Sequence, residues 1–100
     1  MKEEYQSLEL VKNNGEKRFE MKVGEHLAVI YFEEFPGRIA LVHTEVEPAL
    51  EGKGAATAII EKTLDYIEKN HLKLIPLCPM VVAYLKRHPE WNRIVAVNHE

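Results

Sequence analysis

The sequence predicts an α+β fold, an antiparallel β-meander followed by an α-β-α unit, with a mixed central sheet and two main helices. Three observations lead there. The first half holds β-branched and aromatic runs separated by turn residues, with period-two alternation where it can be read. From Gly54 to Asn70 the apolar positions change to helical spacing. A short apolar run and a proline-opened segment then follow, so a helix crosses between strands.

In chain order, Leu8–Lys12 reads as a short strand running into Asn13-Asn14-Gly15, a strong tight-turn signal. Arg18–Val23 alternates, with Phe19, Met21 and Val23 to one side. Gly24-Glu25 turns the chain into His26–Glu33, and Pro36-Gly37 into Arg38–Val46. Ala56, Ile59, Ile60, Thr63, Leu64 and Ile67 then share one helical face, with charged residues opposite. Asp65 and Lys69 form a favourable i,i+4 pair there, and Asn70 ends the helix. Leu72–Leu77 reads as a strand interrupted at Pro76. Pro79 suits the first turn of a second helix, which runs to about Lys86 and stops at His88-Pro89. Ile94–Val97 reads as a last short strand.

One hundred residues suit one domain, spanning 1–100. Lysines and arginines are scattered and the net charge is −3, so neither nucleic acid nor an anionic membrane is an expected partner. No run approaches the roughly 20 apolar residues that span a bilayer. The lone Cys78 excludes an intrachain disulfide and a cysteine-based zinc site, and suits a reducing, cytoplasmic setting. His26, His71 and His99 share no ligand spacing, and no metal is expected.

The long helix is entered through Gly52-Lys53-Gly54-Ala55-Ala56, with no Ser, Thr, Asp or Asn to cap it. The first turn of any helix leaves backbone N–H groups unpaired. Here they stay approachable, at the positive end of the helix dipole, which suits an anion such as a pyrophosphate. The stretch matches neither a Walker A loop nor GxGxxG, since Thr57 stands three residues after Gly54. A tight turn packed closely on the sheet is the plainer reading of the same glycines.

HTEV (43–46), GKGAA (52–56), LIPLCP (74–79) and YLKRHPEW (84–91) together resemble the GCN5-related N-acetyltransferases, in particular their short, YjdJ-like branch. The resemblance runs from about Phe19 to Trp91 and implies a minimal GNAT fold. In that superfamily the turn reads [Gln/Arg]-x-x-Gly-x-[Gly/Ala]; Gly54 and Ala56 match its last two positions, and Glu51 stands where Gln or Arg is expected. The resemblance implies an acetyl-CoA-dependent acyltransferase moving an acetyl group to an amine acceptor, a small molecule or a protein. A non-catalytic acyl-CoA-binding or interaction module is the alternative. Full-size members carry two helices between their first strands that shape the acceptor pocket. Here Val23 reaches His26 through a tight turn with no room for them. An open face, or a second copy in a weak homodimer, is then left to complete the site of an otherwise monomeric protein.

The resemblance places the pantetheine arm of coenzyme A between Arg38–Val46 and Leu72–Leu77, paired with the backbone of Thr44, Glu45 and Val46. Gly52, Lys53, Gly54, Ala55 and Ala56 take the phosphates. Arg87 and His88 suit either the adenosine phosphates or solvated cations at a helix C-terminus. His43 and Glu45 lie two apart on a strand, so they leave the same face. Either suits a general base that removes a proton from the acceptor amine. Cys78 ends a strand and precedes a helix whose dipole favours a thiolate. The resemblance places it near the acetyl-CoA sulfur, with an acetyl-cysteine route beside direct transfer. Tyr84 stands roughly where many members keep a tyrosine that protonates the departing thiolate. The plainer readings are solvent-facing strand ends for His43 and Glu45, a buried small hydrophobe for Cys78, and helix-edge packing for Tyr84.

Overall fold

Alternation and turn chemistry produce the meander in the computed structural model, which describes residues 2–96. A one-turn helix α1 (Glu3–Gln6) precedes β1 (Leu10–Asn13), β2 (Arg18–Val23), β3 (His26–Phe35) and β4 (Arg38–Val46). Each strand pairs antiparallel with the one before it. After the glycine turn come helix α2 (Ala55–Lys69), β5 (Lys73–Pro76) and helix α3 (Pro79–Arg87). β5 lies parallel to β4, so the five-stranded sheet is mixed and runs β1-β2-β3-β4-β5.

Two expectations are corrected. The first strand begins at Leu10, because the Leu8 amide turns back to the Tyr5 carbonyl at 3.1 Å and extends α1 as a turn. No strand forms at Ile94: Pro89–Ile94 coils as a 3-10 helix. Only Val95 then bridges Leu74, with the Ala96 amide bonded to the Leu74 carbonyl at 2.8 Å. Val97, the end of that expected strand, and His99 lie outside the described residues.

Phe19, Met21, Ala28, Ile30 and Leu41 share the core face of the sheet. Helix α2 packs there, its Tyr66 ring 5.1 Å from that of Phe19. Ala55 and Ala58 are buried where the helical periodicity expected Ala56, which is only half-buried. Thr63 enters the core with its hydroxyl donating to the Ile59 carbonyl at 2.7 Å, so its burial leaves no polar atom unpaired. Asp65 and Lys69 pair at 2.9 Å across one helical turn. No helix of the described residues is long and apolar enough to cross a membrane.

Two irregularities in β4 position everything that follows. Tyr31 faces His43 but Phe32 faces Leu41, so Val42 is an extra residue, a β-bulge. The bulge resets the alternation. Leu41 points into the core, whereas His43 and Glu45 point to the opposite face beside Tyr31 and Val29. The parallel pairing of β4 with β5 also stops at Leu41 and Pro76. There the amides of both Leu77 and Cys78 converge on the Leu41 carbonyl, at 3.1 and 2.8 Å. Past this fork the two strands separate.

Candidate active site

Beyond the fork, one edge of β4 has lost its partner. The Glu47 amide bonds the Leu27 carbonyl at 3.1 Å, which fixes the parity of the β3–β4 ladder. In an antiparallel ladder bonded and non-bonded pairs alternate, so the backbone groups of Thr44 and Val46 face away from β3, into the gap. Among the described residues nothing bonds them there.

The glycine turn lies beside this edge. Gly52 and Gly54 have φ of +76° and +82°, a left-handed region that costs other residues roughly 1–2 kcal/mol each. No side chain caps α2. The amides of Gly52, Gly54, Ala55 and Ala56 have no acceptor among the described residues, while that of Lys53 bonds the Leu50 carbonyl at 3.2 Å. What Lys53 can offer an anion is therefore its ammonium. Glu51 neither caps the helix nor withdraws from the turn; it lines the adjoining cavity.

That cavity, about 800 Å³, joins the two features. Thr44, Glu45, Val46, Gly52 and Ala56 line it, as do Arg18, Val29, Tyr31, Glu47 and Met80. It runs from the glycine turn, past the free end of β4, onto the sheet face that carries Tyr31 and Glu45. Arg18 donates to Glu20 at 2.6 Å and to the Tyr31 hydroxyl at 3.1 Å, and Tyr31 stacks on His43. The sequence reasoning missed Arg18, Tyr31, Glu47 and Met80. Strand pairing was the usable signal for the first two, since Arg18 and Tyr31 continue the cross-strand row that begins at His43.

The expected catalytic residues fall into separate groups. His43 Nε2 lies 3.3 Å from a carboxylate oxygen of Glu45, both side chains exposed, so a proton can pass between them. Cys78 is buried on the other side of β4, its Sγ 3.3 Å from the Thr44 hydroxyl. Strand alternation puts Thr44 and its thiol partner on the core face, away from His43 and Glu45. Tyr84 is buried at the contact of α3 with α2, stacked on His88, and its hydroxyl donates to Glu61 at 2.6 Å. Burial first, and then the Glu61 carboxylate, push its pKa well above the usual phenol value. Neither Tyr84 nor Arg87, exposed at the end of α3, lines the cavity. Tyr84→Phe leaves Glu61 short of a charge-assisted hydrogen bond, so urea denaturation should show a loss of about 1–3 kcal/mol with coenzyme A affinity unchanged. A slower acetyl transfer at unchanged stability would instead mark Tyr84 as the proton donor.

Two carboxylates, Glu47 in the cavity wall and Glu20 beside Arg18, couple the stability of the fold to pH. His26, and then the Leu27 amide, hold the Glu47 carboxyl below its ordinary value of 4.5, and Arg18 does the same for Glu20. A carboxyl lowered in the folded chain stabilises it above the unfolded value, and that stability is lost as pH falls through the folded one. Melting temperatures measured from neutral to acid should therefore fall from about pH 4.5 downward, and less steeply in a Glu47→Gln, Glu20→Gln double variant. Equal slopes would contradict this origin of the acid sensitivity. Among the described residues no group of His, Cys, Asp and Glu is placed to hold a metal.

An antiparallel meander, a crossover helix with an uncapped glycine entry and a parallel pair that forks beside it define an acetyltransferase-type α+β domain. The chain belongs to the GCN5-related N-acetyl-transferase family, whose sequence profile matches residues 18–94. Members of that family generally use acetyl-CoA, which supplies the activated acetyl group.

Proposed function

We propose that this protein is an acetyl-CoA-dependent N-acetyltransferase that delivers an acetyl group to an amine acceptor. One observation carries the reading: the glycine turn, through Gly52 and Ala56, and the unpaired edge of β4, through Thr44 and Val46, line the same cavity. A pyrophosphate needs several amides at a helix N-terminus, and a pantetheine arm with its own amides needs a strand edge. Both are present in adjoining positions, so the residues fit the cosubstrate.

In this reading the amides of Gly52, Gly54, Ala55 and Ala56 hold the phosphates, with the Lys53 ammonium as counter-charge. Thr44 and Val46 offer their backbone to the pantetheine arm, and Arg87 serves the adenosine end. Glu45, at the cavity wall, takes the proton that the acceptor amine must lose, and His43 shares it. Cys78 remains the candidate for a covalent relay, with Thr44 as the partner of its thiol, whereas the Tyr84 hydroxyl, committed to Glu61, ties α3 to α2. Glu51 favours a second reading, a module that binds acyl-CoA without transferring the acyl group, because a negative charge on a residue of the cavity wall beside the glycine turn opposes phosphate.

Incubation with acetyl-CoA and an amine, followed by intact-mass analysis, separates these readings. Acetyl transfer to the amine supports the enzyme. An acetyl adduct on the chain that disappears in Cys78→Ala supports the cysteine route, and binding with no transfer supports the module. No thermal shift with either coenzyme A or acetyl-CoA would remove the cosubstrate assignment altogether.

A further inference from the structure

The glycine turn is not held by the family-matched segment alone. Tyr5, on α1, lies outside residues 18–94 yet is almost wholly buried. Its hydroxyl donates to the Lys53 carbonyl at 2.8 Å, across 48 residues of sequence. Its ring and the stem of Lys2 also cover Gly54: a methyl placed on that glycine would lie 3.9 Å from Tyr5 Cε2 and 3.5 Å from Lys2 Cε. A further tie joins Lys62 Nζ, on α2, to the Gln6 carbonyl at 3.2 Å.

The Lys53 carbonyl and the Gly54 N–H belong to one planar trans peptide, so they point in opposite directions. Fixing the carbonyl on Tyr5 therefore fixes where the Gly54 N–H points. That peptide lies between residues in and next to left-handed glycine conformations, which have few other restraints. A hydrogen bond accepted by the carbonyl also polarises the amide at the other end of the same peptide.

We infer that Tyr5 is a positioning residue for the phosphate-binding turn, acting through the Lys53–Gly54 peptide to aim the Gly54 amide at the pyrophosphate of coenzyme A. The inference rests on the acetyl-CoA reading above. It places part of the cosubstrate's affinity in a helix that the family profile does not include.

The test is Tyr5→Phe, which keeps the buried ring and removes only the hydroxyl. Coenzyme A and pantetheine, which lacks the pyrophosphate, are titrated against the unaltered protein and the variant. The variant should bind coenzyme A about five- to tenfold more weakly, with pantetheine affinity unchanged. The Gly54 amide resonance should move in the free variant, and the rate at saturating acetyl-CoA should be retained. An unchanged ratio of coenzyme A to pantetheine affinity overturns the inference, whether both affinities hold or both fall together with the melting temperature. Failure of the unaltered protein to bind coenzyme A is a different result, and removes the acetyl-CoA reading together with this inference.

Discussion

An Ala56→Glu variant is expected to fold as well as the unaltered protein and to lose about a hundredfold in acetyl-CoA affinity. Ala56 sits in the first turn of α2, half-buried, on the cavity wall. A carboxylate there favours the helix, because acidic side chains complement the positive end of the dipole by about 0.3–1 kcal/mol. The same charge would face the proposed phosphate site, and two like charges about 5 Å apart repel by roughly 3 kcal/mol at an effective dielectric constant of 20. Stability and affinity therefore move in opposite directions. Urea denaturation and calorimetric titration on one preparation measure both, and an unimpaired affinity would mean that the phosphates bind elsewhere.

Phe19→Ala should have the largest effect on stability, a loss of about 3–5 kcal/mol. Phe19 is fully buried, second in β2, and its ring lies 5.0 Å from Phe32 and 5.1 Å from Tyr66. It thus joins β2 and β3 to α2, the helix that presents the glycine turn. Domains of this size have about 5–15 kcal/mol in total, so the variant is expected to be partly unfolded at physiological temperature. A shift below about 1 kcal/mol in urea denaturation would show that the cavity collapses freely, contrary to the close packing seen around the ring.

The meander, the crossover helix and the second helix were legible because each rests on local chemistry. Alternating strands, Gly24, Gly37, and the Pro79 helix start need no knowledge of distant residues. What escaped depends on contacts far apart in sequence. The bulge at Val42 follows from how β4 meets β3, and it decides that His43 and Glu45 lie across the strand from Cys78. Spacing along the strand placed His43 beside Glu45 correctly, but could not show that the thiol belongs with Thr44. Helix α1 was missed because four residues leave no period to read, and the hydrogen-bond partner of its one buried residue, Tyr5, is the Lys53 carbonyl, 48 positions away. Tyr84 illustrates the same limit. Its place on the helix was readable, its partner Glu61 on another helix was not.

Glu51 keeps its oddity. Glu51 lines the cavity beside amides that suit an anion, and it does not cap the helix. Glu51→Gln should tighten coenzyme A binding several-fold, most clearly at low salt, where repulsion between exposed charges is least screened. Weaker binding in titrations at two ionic strengths would show that the carboxylate helps to shape the turn instead.

The most direct test of the account follows backbone amide resonances of the labelled protein through a titration with coenzyme A. Saturable shifts are expected at Gly52, Gly54, Ala55 and Ala56, and along the open edge of β4 at Thr44 and Val46. Shifts confined to other parts of the chain, or none at millimolar coenzyme A, would contradict it.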